Sequence, residues 1–217
     1  MSSVPDARRA AAPLIAAWMP RAEVSLRHAV TVRAPAHVVF HVASTFDIES
    51  LPLVKLLIRL RGWLMGAEAA APRVSRGLLE DMQAIGWVRL AERERREIVA
   101  GAAARPWQPD VIFRPIPADQ FADFREPGWV RIAWSLEVEP LEPALCRFQS
   151  QTRVSATNDD ARHHFRSYWR KAGPGIVLIR WALLRAVRRE AERRWRLTDR
   201  AVKAIRSVGI HAKGAFT

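Results

Sequence analysis

Histidines are the residues of this sequence best suited to metal binding or catalysis. Two of them, His37 and His41, stand four positions apart. On a helix that spacing puts both rings on one face, as two ligands of one metal ion require. The zinc-protease signature has a glutamate directly after the first histidine, whereas Val38 and Val39 follow His37 here. No third ligand is evident, so we interpret the pair as structural or surface histidines and predict no metal site.

His28 has a different setting, because it lies in a segment where residue types alternate with a period of two. Leu26, His28 and Val30 share the apolar face of that segment. A histidine there could offer a ligand one oriented hydrogen bond, or act as a base. The alternative, which we favour, is a core or rim histidine whose nitrogens are satisfied by a neighbour. If the protein is an enzyme, His28 is the best candidate for its catalytic residue.

The remaining reactive groups do not indicate catalysis. The single cysteine, Cys146, faces inward in its strand pattern and has no neighbour that would activate it, so we interpret it as a small apolar filler. The sequence has no glycine-rich phosphate loop, nucleophile elbow or paired-carboxylate motif. We therefore predict no cofactor and favour a protein without enzymatic activity, while leaving catalysis open.

The elements that must position these residues follow an α+β order. Period-two alternation predicts strands, and apolar residues at helical spacing predict helices. The predicted strands are Val24–Val32, Trp87–Glu92, Arg96–Ala104, Trp129–Glu139 and Leu145–Thr157. The predicted helices are Ala36–Ser44, Leu51–Met65, a short one within Arg76–Ile85, and a long one from Asp159 to about Arg196 that is interrupted at Gly173-Pro174-Gly175.

Three stretches carry a family resemblance. In Val30–Phe40 a strand leads through Ala34-Pro35 into a helix, Gly128–Pro140 is a strand that contains Trp134, and Thr152–Thr157 leads into the helix of Asp160–Trp169. Over residues 24–196 the chain resembles the START-like superfamily, also called SRPBCC, which includes polyketide cyclases and lipid-transfer domains. The resemblance implies a helix-grip fold, in which a curved antiparallel sheet wraps around the long C-terminal helix and encloses an apolar cavity.

A ligand site follows from the resemblance together with the alternation. Large apolar side chains suit rings and acyl chains, and the sequence has nine tryptophans. We predict that the protein binds or carries an apolar small molecule of lipid, isoprenoid or polyketide-like type. A cyclase or dehydratase-type enzyme in the same cavity is an alternative. The expected lining residues are Val30, Ile132, Trp134, Leu136, Phe148, Thr152, Phe165, Trp169 and Ile176.

The formal net charge of +13 suggests a further alternative. The excess lies in residues 159–217, where 15 basic and five acidic residues give +10. An adaptor for anionic surfaces, above all a membrane, would use the arginines of the long helix. A packed helix with a solvated arginine face is the interpretation we favour, and specific nucleic-acid binding is not expected because no binding module is evident. The arginines concerned are Arg185, Arg188, Arg189 and Arg193.

We expect one domain with two appendages. Residues 1–22 are predicted to be an N-terminal arm, 23–196 the START-like domain, and 197–217 a basic C-terminal tail. No stretch reaches the ~18 uninterrupted apolar residues that a membrane span needs, and the N-terminal run is a poor signal peptide. We expect a cytoplasmic protein, with peripheral membrane contact as the alternative location.

Overall fold

The computed structural model describes residues 13–66 and 75–213, in which short helices and six strands precede one long helix. The helices are α1 (Leu14–Trp18), α2 (Ala36–Ser44), α3 (Pro52–Met65), α4 (Leu78–Ala84), α5 (Ala118–Phe121) and α6 (Asp159–Lys213). A 3-10 turn at Ile48–Ser50 precedes α3. The strands are β1 (Val24–Val32), β2 (Val88–Arg93), β3 (Glu97–Ala104), β4 (Phe113–Arg114), β5 (Val130–Glu142) and β6 (Leu145–Ala156).

The strands form one antiparallel sheet in the order β1-β6-β5-β3-β2, with β4 paired to the end of β3. The register sets Phe148 of β6 between Val30 of β1 and Val138 of β5. Because side chains alternate along a strand, these three residues share one face of the sheet. That inner face is the one that receives α6.

The inner face and α6 form the main hydrophobic core. Leu136, Val138 and Phe148 from the sheet are buried with Leu184 and Val187 from the helix. Alternating apolar residues in the strands and an apolar stripe on the helix account for this packing. The α+β helix-grip fold predicted from the sequence, with an antiparallel sheet gripping a long C-terminal helix, is therefore confirmed.

The outer face of the sheet is also covered, by a layer that was not predicted. Ile15 and Met19 of the N-terminal segment and Phe121 of α5 are fully buried there. The ring of Phe121 lies directly on Gly101, where an added Cβ would be 2.6 Å from it. The described part of the predicted N-terminal arm thus includes a packed helix, and residues 1–12 of that arm lie outside the described residues.

The predicted interruption of the long helix is wrong. The helix α6 continues through Gly173, Pro174 and Gly175 and extends to Lys213, inside the segment predicted as a tail. The poor helix propensity of these residues does not end the helix. A Cβ on Gly173 would lie 3.2 Å from the Trp169 ring, and one on Gly175 would lie 3.9 Å from Leu57 of α3. Residues 214–217 of the predicted tail lie outside the described residues.

Candidate functional site

The centre of the inner face is polar although apolar residues surround it. Ser150 and Thr152 alternate inward on β6 after Phe148, and both are buried. Arg180 reaches them from α6. Its Nη1 donates to Ser150 Oγ at 3.0 Å, and its Nη2 donates to Thr152 Oγ1. The helix therefore inserts a guanidinium into the middle of the helix–sheet interface.

Arg180 is a buried cation without an ionic partner among the described residues. Its side chain is only 9% exposed, and no described carboxylate lies within ion-pair distance. Burial lowers the pKa of Arg180 to about 10, so the group remains charged at neutral pH. Its Nε is buried and has no hydrogen-bond acceptor. Buried charges of this kind are costly and cluster at functional sites.

His28 lies next to this polar centre. It faces Ser150 directly across the β1–β6 pair, so the two side chains are neighbours on the inner face. His28 is half-buried, and its Nδ1 is buried without a hydrogen-bond partner. The favoured prediction, a histidine satisfied by a neighbour, is thus not met at this nitrogen.

A second buried charge, Glu97 on β3, lies on the outer face. It is fully buried, and its Oε1 accepts a hydrogen bond of 2.8 Å from the backbone N–H of Leu14 at the start of α1. Arg93 lies 3.5 Å from its Oε2. Burial, and then the charge of Glu137 on the neighbouring strand, raise the pKa of Glu97. Glu97 thus holds α1 against the sheet.

An apolar groove runs between α3 and α6. It has a volume of about 560 Å³ and is open to solvent at one side. Most of its wall is apolar, and Lys171, Ser167 and His164 provide the polar groups. The apolar lining includes Leu57, Leu60, Trp107, Tyr168, Ile176 and Ile179.

The residues predicted to line a ligand cavity do not share one environment. Trp134, Leu136 and Phe148 are packed in the core, and Phe165 and Trp169 pack against Val130 and Val154 at one end of the sheet. Val30 and Ile132 are half-buried on the inner face. Thr152 binds Arg180, and Ile176 is the one predicted residue that lines the groove.

The other reactive residues lie apart from this region. His37 and His41 are both exposed on α2. Within the described residues no group of three histidine, cysteine or acidic side chains is placed to hold a metal ion. Cys146 is fully buried, and burial raises the pKa of its thiol to about 11. A thiol in that environment is a poor nucleophile.

The arginine face of α6 is partly neutralised. Arg188 pairs with Glu192 at 3.1 Å, and Arg193 pairs with Glu190 at 2.8 Å. Arg185 lies 3.1 Å over the ring of Trp181, which is 43% exposed. Trp181 therefore faces solvent and does not line the core.

The sequence contained a signal for Arg180 that was missed. Arg180 interrupts the apolar run Ile176–Leu184, and helical spacing puts it on the same face as Ile176 and Leu184. A lone arginine within a buried stripe indicates an inward-facing charge. Its partners on β6 are 28 and 30 residues away and have no local signal.

Comparisons with known proteins find structural likeness only. No protein-family model matches the chain, and no curated protein matches it in sequence. Among solved structures it is similar to a conserved protein from Geobacillus kaustophilus (10% identity over 78% of this chain and 96% of that one, TM-score 0.38). It is also similar to norcoclaurine synthase from Thalictrum (14%, 75% and 95%, TM-score 0.34) and to an aromatase/cyclase from Streptomyces (15%, 79% and 94%, TM-score 0.29).

The sheet order and the packing of α6 on the inner face define a helix-grip fold. A buried arginine, Arg180, lies between α6 and the inner face of this sheet. Over the described residues, no helix is both long and apolar enough to cross a membrane.

Proposed function

We propose that this protein binds or carries an apolar small molecule, of lipid, isoprenoid or polyketide-like type, in the groove between α3 and α6. The observation that carries the proposal is the groove itself. Its volume of about 560 Å³ lies within the range of roughly 300–1,000 Å³ that small-molecule sites occupy. Its wall is mainly apolar with a few polar groups, which is the usual composition of such sites.

Two leucines of similar exposure allow a matched test. Leu60 lines the groove and is 44% exposed, whereas Leu141 lies at the end of β5 and is 43% exposed. A hydrophobic dye should bind the wild-type protein in a ratio of about one to one. We expect Leu60→Asp to weaken dye binding about tenfold, because the apolar contact of one leucine is worth roughly 1.5–3 kcal/mol when it is fully buried. Leu141→Asp should leave binding unchanged.

Native mass spectrometry of the purified protein supplies an independent measurement. A co-purified molecule that stays bound in Leu141→Asp and is lost in Leu60→Asp would give the mass of the ligand. Absence of any saturable binding of fatty, isoprenoid or aromatic compounds would contradict the proposal. Equal loss of the co-purified molecule in both variants would show that it does not bind in the groove.

A cyclase or dehydratase-type reaction is the second candidate. It is supported by the buried, unpartnered Nδ1 of His28 beside Ser150, because a general base needs a free nitrogen within reach of its substrate. Incubation with a linear polyketide-like substrate should then yield a product that has lost water. We expect His28→Ala to abolish that conversion while His37→Ala, at an exposed histidine, leaves it intact. Retained conversion in His28→Ala would reject this role.

Docking on an anionic membrane is the third candidate, and the exposed apolar residues Leu178 and Trp181 beside Arg185 support it. Arg185→Glu with Arg189→Glu should then reduce sedimentation with anionic vesicles at low salt, because each basic residue near the surface adds about 1 kcal/mol. Arg95→Glu with Arg96→Glu makes the same charge change in the exposed β2–β3 turn and serves as the control. Equal sedimentation of both double variants would reject docking through α6.

A further inference from the structure

We propose that Arg180, together with His28, binds the carboxylate of an apolar acid at the inner face of the sheet. This inference rests on the proposed function and names the class of ligand: an apolar molecule with one anionic head. The chemistry is that of a charge-assisted pair between a guanidinium and a carboxylate.

The guanidinium retains binding capacity after its contacts within the protein are counted. Arginine has five N–H groups, and the only acceptors that the described residues give Arg180 are the hydroxyls of Ser150 and Thr152. Hydroxyls are neutral, so they orient the guanidinium without balancing its charge. Ion pairing with a described carboxylate is absent, which is unusual for a side chain that is nine-tenths buried.

Two unsatisfied polar atoms belong to residues that neighbour Ser150. In the described part of the chain, four buried side-chain polar atoms lack hydrogen-bond partners, and two of them are Arg180 Nε and His28 Nδ1. Ser150 adjoins both residues, since it accepts from Arg180 and lies opposite His28 in the β1–β6 pair. Two donors that each belong to a neighbour of Ser150 could serve the two oxygens of one carboxylate, with the histidine donating when Nδ1 carries its proton.

The surroundings suit a molecule with an apolar body. His28 is on an edge strand, and its inner-face neighbours Leu26 and Val30 are only half-buried, so the polar centre adjoins an incompletely covered surface. Ile176, which lines the groove, precedes Arg180 by one helical turn. Side chains on a helix lean toward its N-terminus, which directs Arg180 toward the turn of Ile176. Ile176 therefore links the two regions, because it lines the groove and lies one turn from Arg180.

A purely structural role for Arg180 makes a different prediction. If the arginine only joins α6 to β6 through the two hydroxyls, the head group of a bound molecule should not matter. Dodecanoic acid and methyl dodecanoate have the same chain and differ in charge at the head, so they separate the two accounts.

The experiment is titration calorimetry of the full chain with each compound at neutral pH. We expect the acid to bind wild-type protein at least about tenfold more tightly than the ester, as a charge-assisted pair provides. Arg180→Met should weaken binding of the acid about tenfold and change binding of the ester less than twofold. Arg166→Met, which removes an exposed arginine elsewhere on α6, is the matched control and should change neither.

Each outcome decides. Equal affinity of the wild-type protein for acid and ester overturns the carboxylate site and leaves the proposed function standing. Binding of neither compound counts against the proposed function and the inference together. Loss of both compounds in a folded Arg180→Met overturns the inference, because the arginine would then not distinguish the head group. If Arg180→Met does not fold, the affinities of the wild-type protein for acid and ester test the carboxylate site, together with the same titrations of His28→Phe. If His28→Phe still prefers the acid to the ester as strongly as the wild type does, His28 is not part of the site.

Discussion

Two buried charges lie on opposite faces of the same sheet, and they differ in what surrounds them. Glu97 on the outer face has a backbone donor from α1 and a nearby Arg93. Arg180 on the inner face has two neutral hydroxyls and an unsatisfied Nε. Each of the two groups keeps one buried atom without a hydrogen-bond partner, Oε2 of Glu97 and Nε of Arg180. Glu97 has an oppositely charged neighbour, whereas Arg180 has none among the described residues, so the charge of Arg180 is the one left for a ligand to balance.

The largest expected effect concerns the two layers that bury these charges. Phe148→Ala on the inner face and Phe121→Ala on the outer face should each lower the free energy of unfolding by about 3–5 kcal/mol, because both rings are fully buried. Urea unfolding measures the change, and Leu141→Ala at an exposed position is the control. A loss below about 1 kcal/mol for Phe121→Ala would show that the outer layer is not part of the cooperative core.

A smaller effect is expected when the inner charge is removed in the absence of ligand. Arg180→Met should change stability by less than about 2 kcal/mol, because the gain from removing an unpaired buried charge opposes the cost of leaving two buried hydroxyls without their donor. Thermal unfolding of ligand-free protein measures this. A large loss of stability would mean that the hydroxyl contacts of Arg180 hold the fold together, and the contrast with Glu97 would disappear.

Neutralising the outer charge should have a pH-dependent effect. Since burial raises the pKa of Glu97 above its ordinary value of 4.5, ionisation of this group destabilises the folded state as the pH rises from about 4.5 through the raised pKa. Glu97→Gln keeps an acceptor for Leu14 and removes the charge. Its melting temperature should exceed that of the wild type by a few degrees at pH 8 and converge with it below about pH 4.5. A difference that does not depend on pH would contradict this account.

The smallest effect should come from a surface carboxylate that has more than one partner. Glu190 accepts hydrogen bonds from Arg193 and Arg194, and chiefly the bond from Arg193 lowers its pKa to about 2. The ionised Glu190 should therefore stabilise the folded state above about pH 4.5, and this stabilisation should be lost as the pH falls toward 2. Glu190→Gln should cost less than about 1 kcal/mol at pH 7, in line with other solvent-exposed pairs. Calorimetric unfolding of wild type and Glu190→Gln across that pH range measures the difference in stability. A cost above about 1 kcal/mol at pH 7 would mean that the exposed ion pairs of α6 stabilise the fold as strongly as buried groups do.

Elements with a strong periodic pattern were predicted well from the sequence. Period-two alternation predicted β1 to the residue, and Pro35 marked the start of α2, which also has the predicted bounds. The strands β5 and β6 differ from the prediction by up to three residues at one end. The two-residue strand β4 is too short to show any period, so its sequence could not reveal it.

The candidate site was predicted less well, for reasons that are physical. Thr152 and His28 were recognised as inward-facing because alternation along one strand is a local property. The pairing of Ser150 and Thr152 with Arg180 depends on how α6 lies on the sheet, which no local pattern encodes. The groove needs α3 and α6 side by side, so Leu57 and Leu60 read only as a helical stripe. The outer layer was missed because α1 is five residues long and lies in an alanine- and proline-rich segment.

The unbroken course of α6 past the groove has an energetic consequence. Two glycines and a proline are together about 5 kcal/mol less favourable in a helix interior than three alanines would be, and proline also leaves one backbone carbonyl without its helical donor. The turn at Gly173–Gly175 therefore has the least favourable helix propensity in this part of α6. Its amide protons should exchange through local opening faster than those on either side. The segment of α6 that lines the groove thus includes the turn with the lowest intrinsic helical stability.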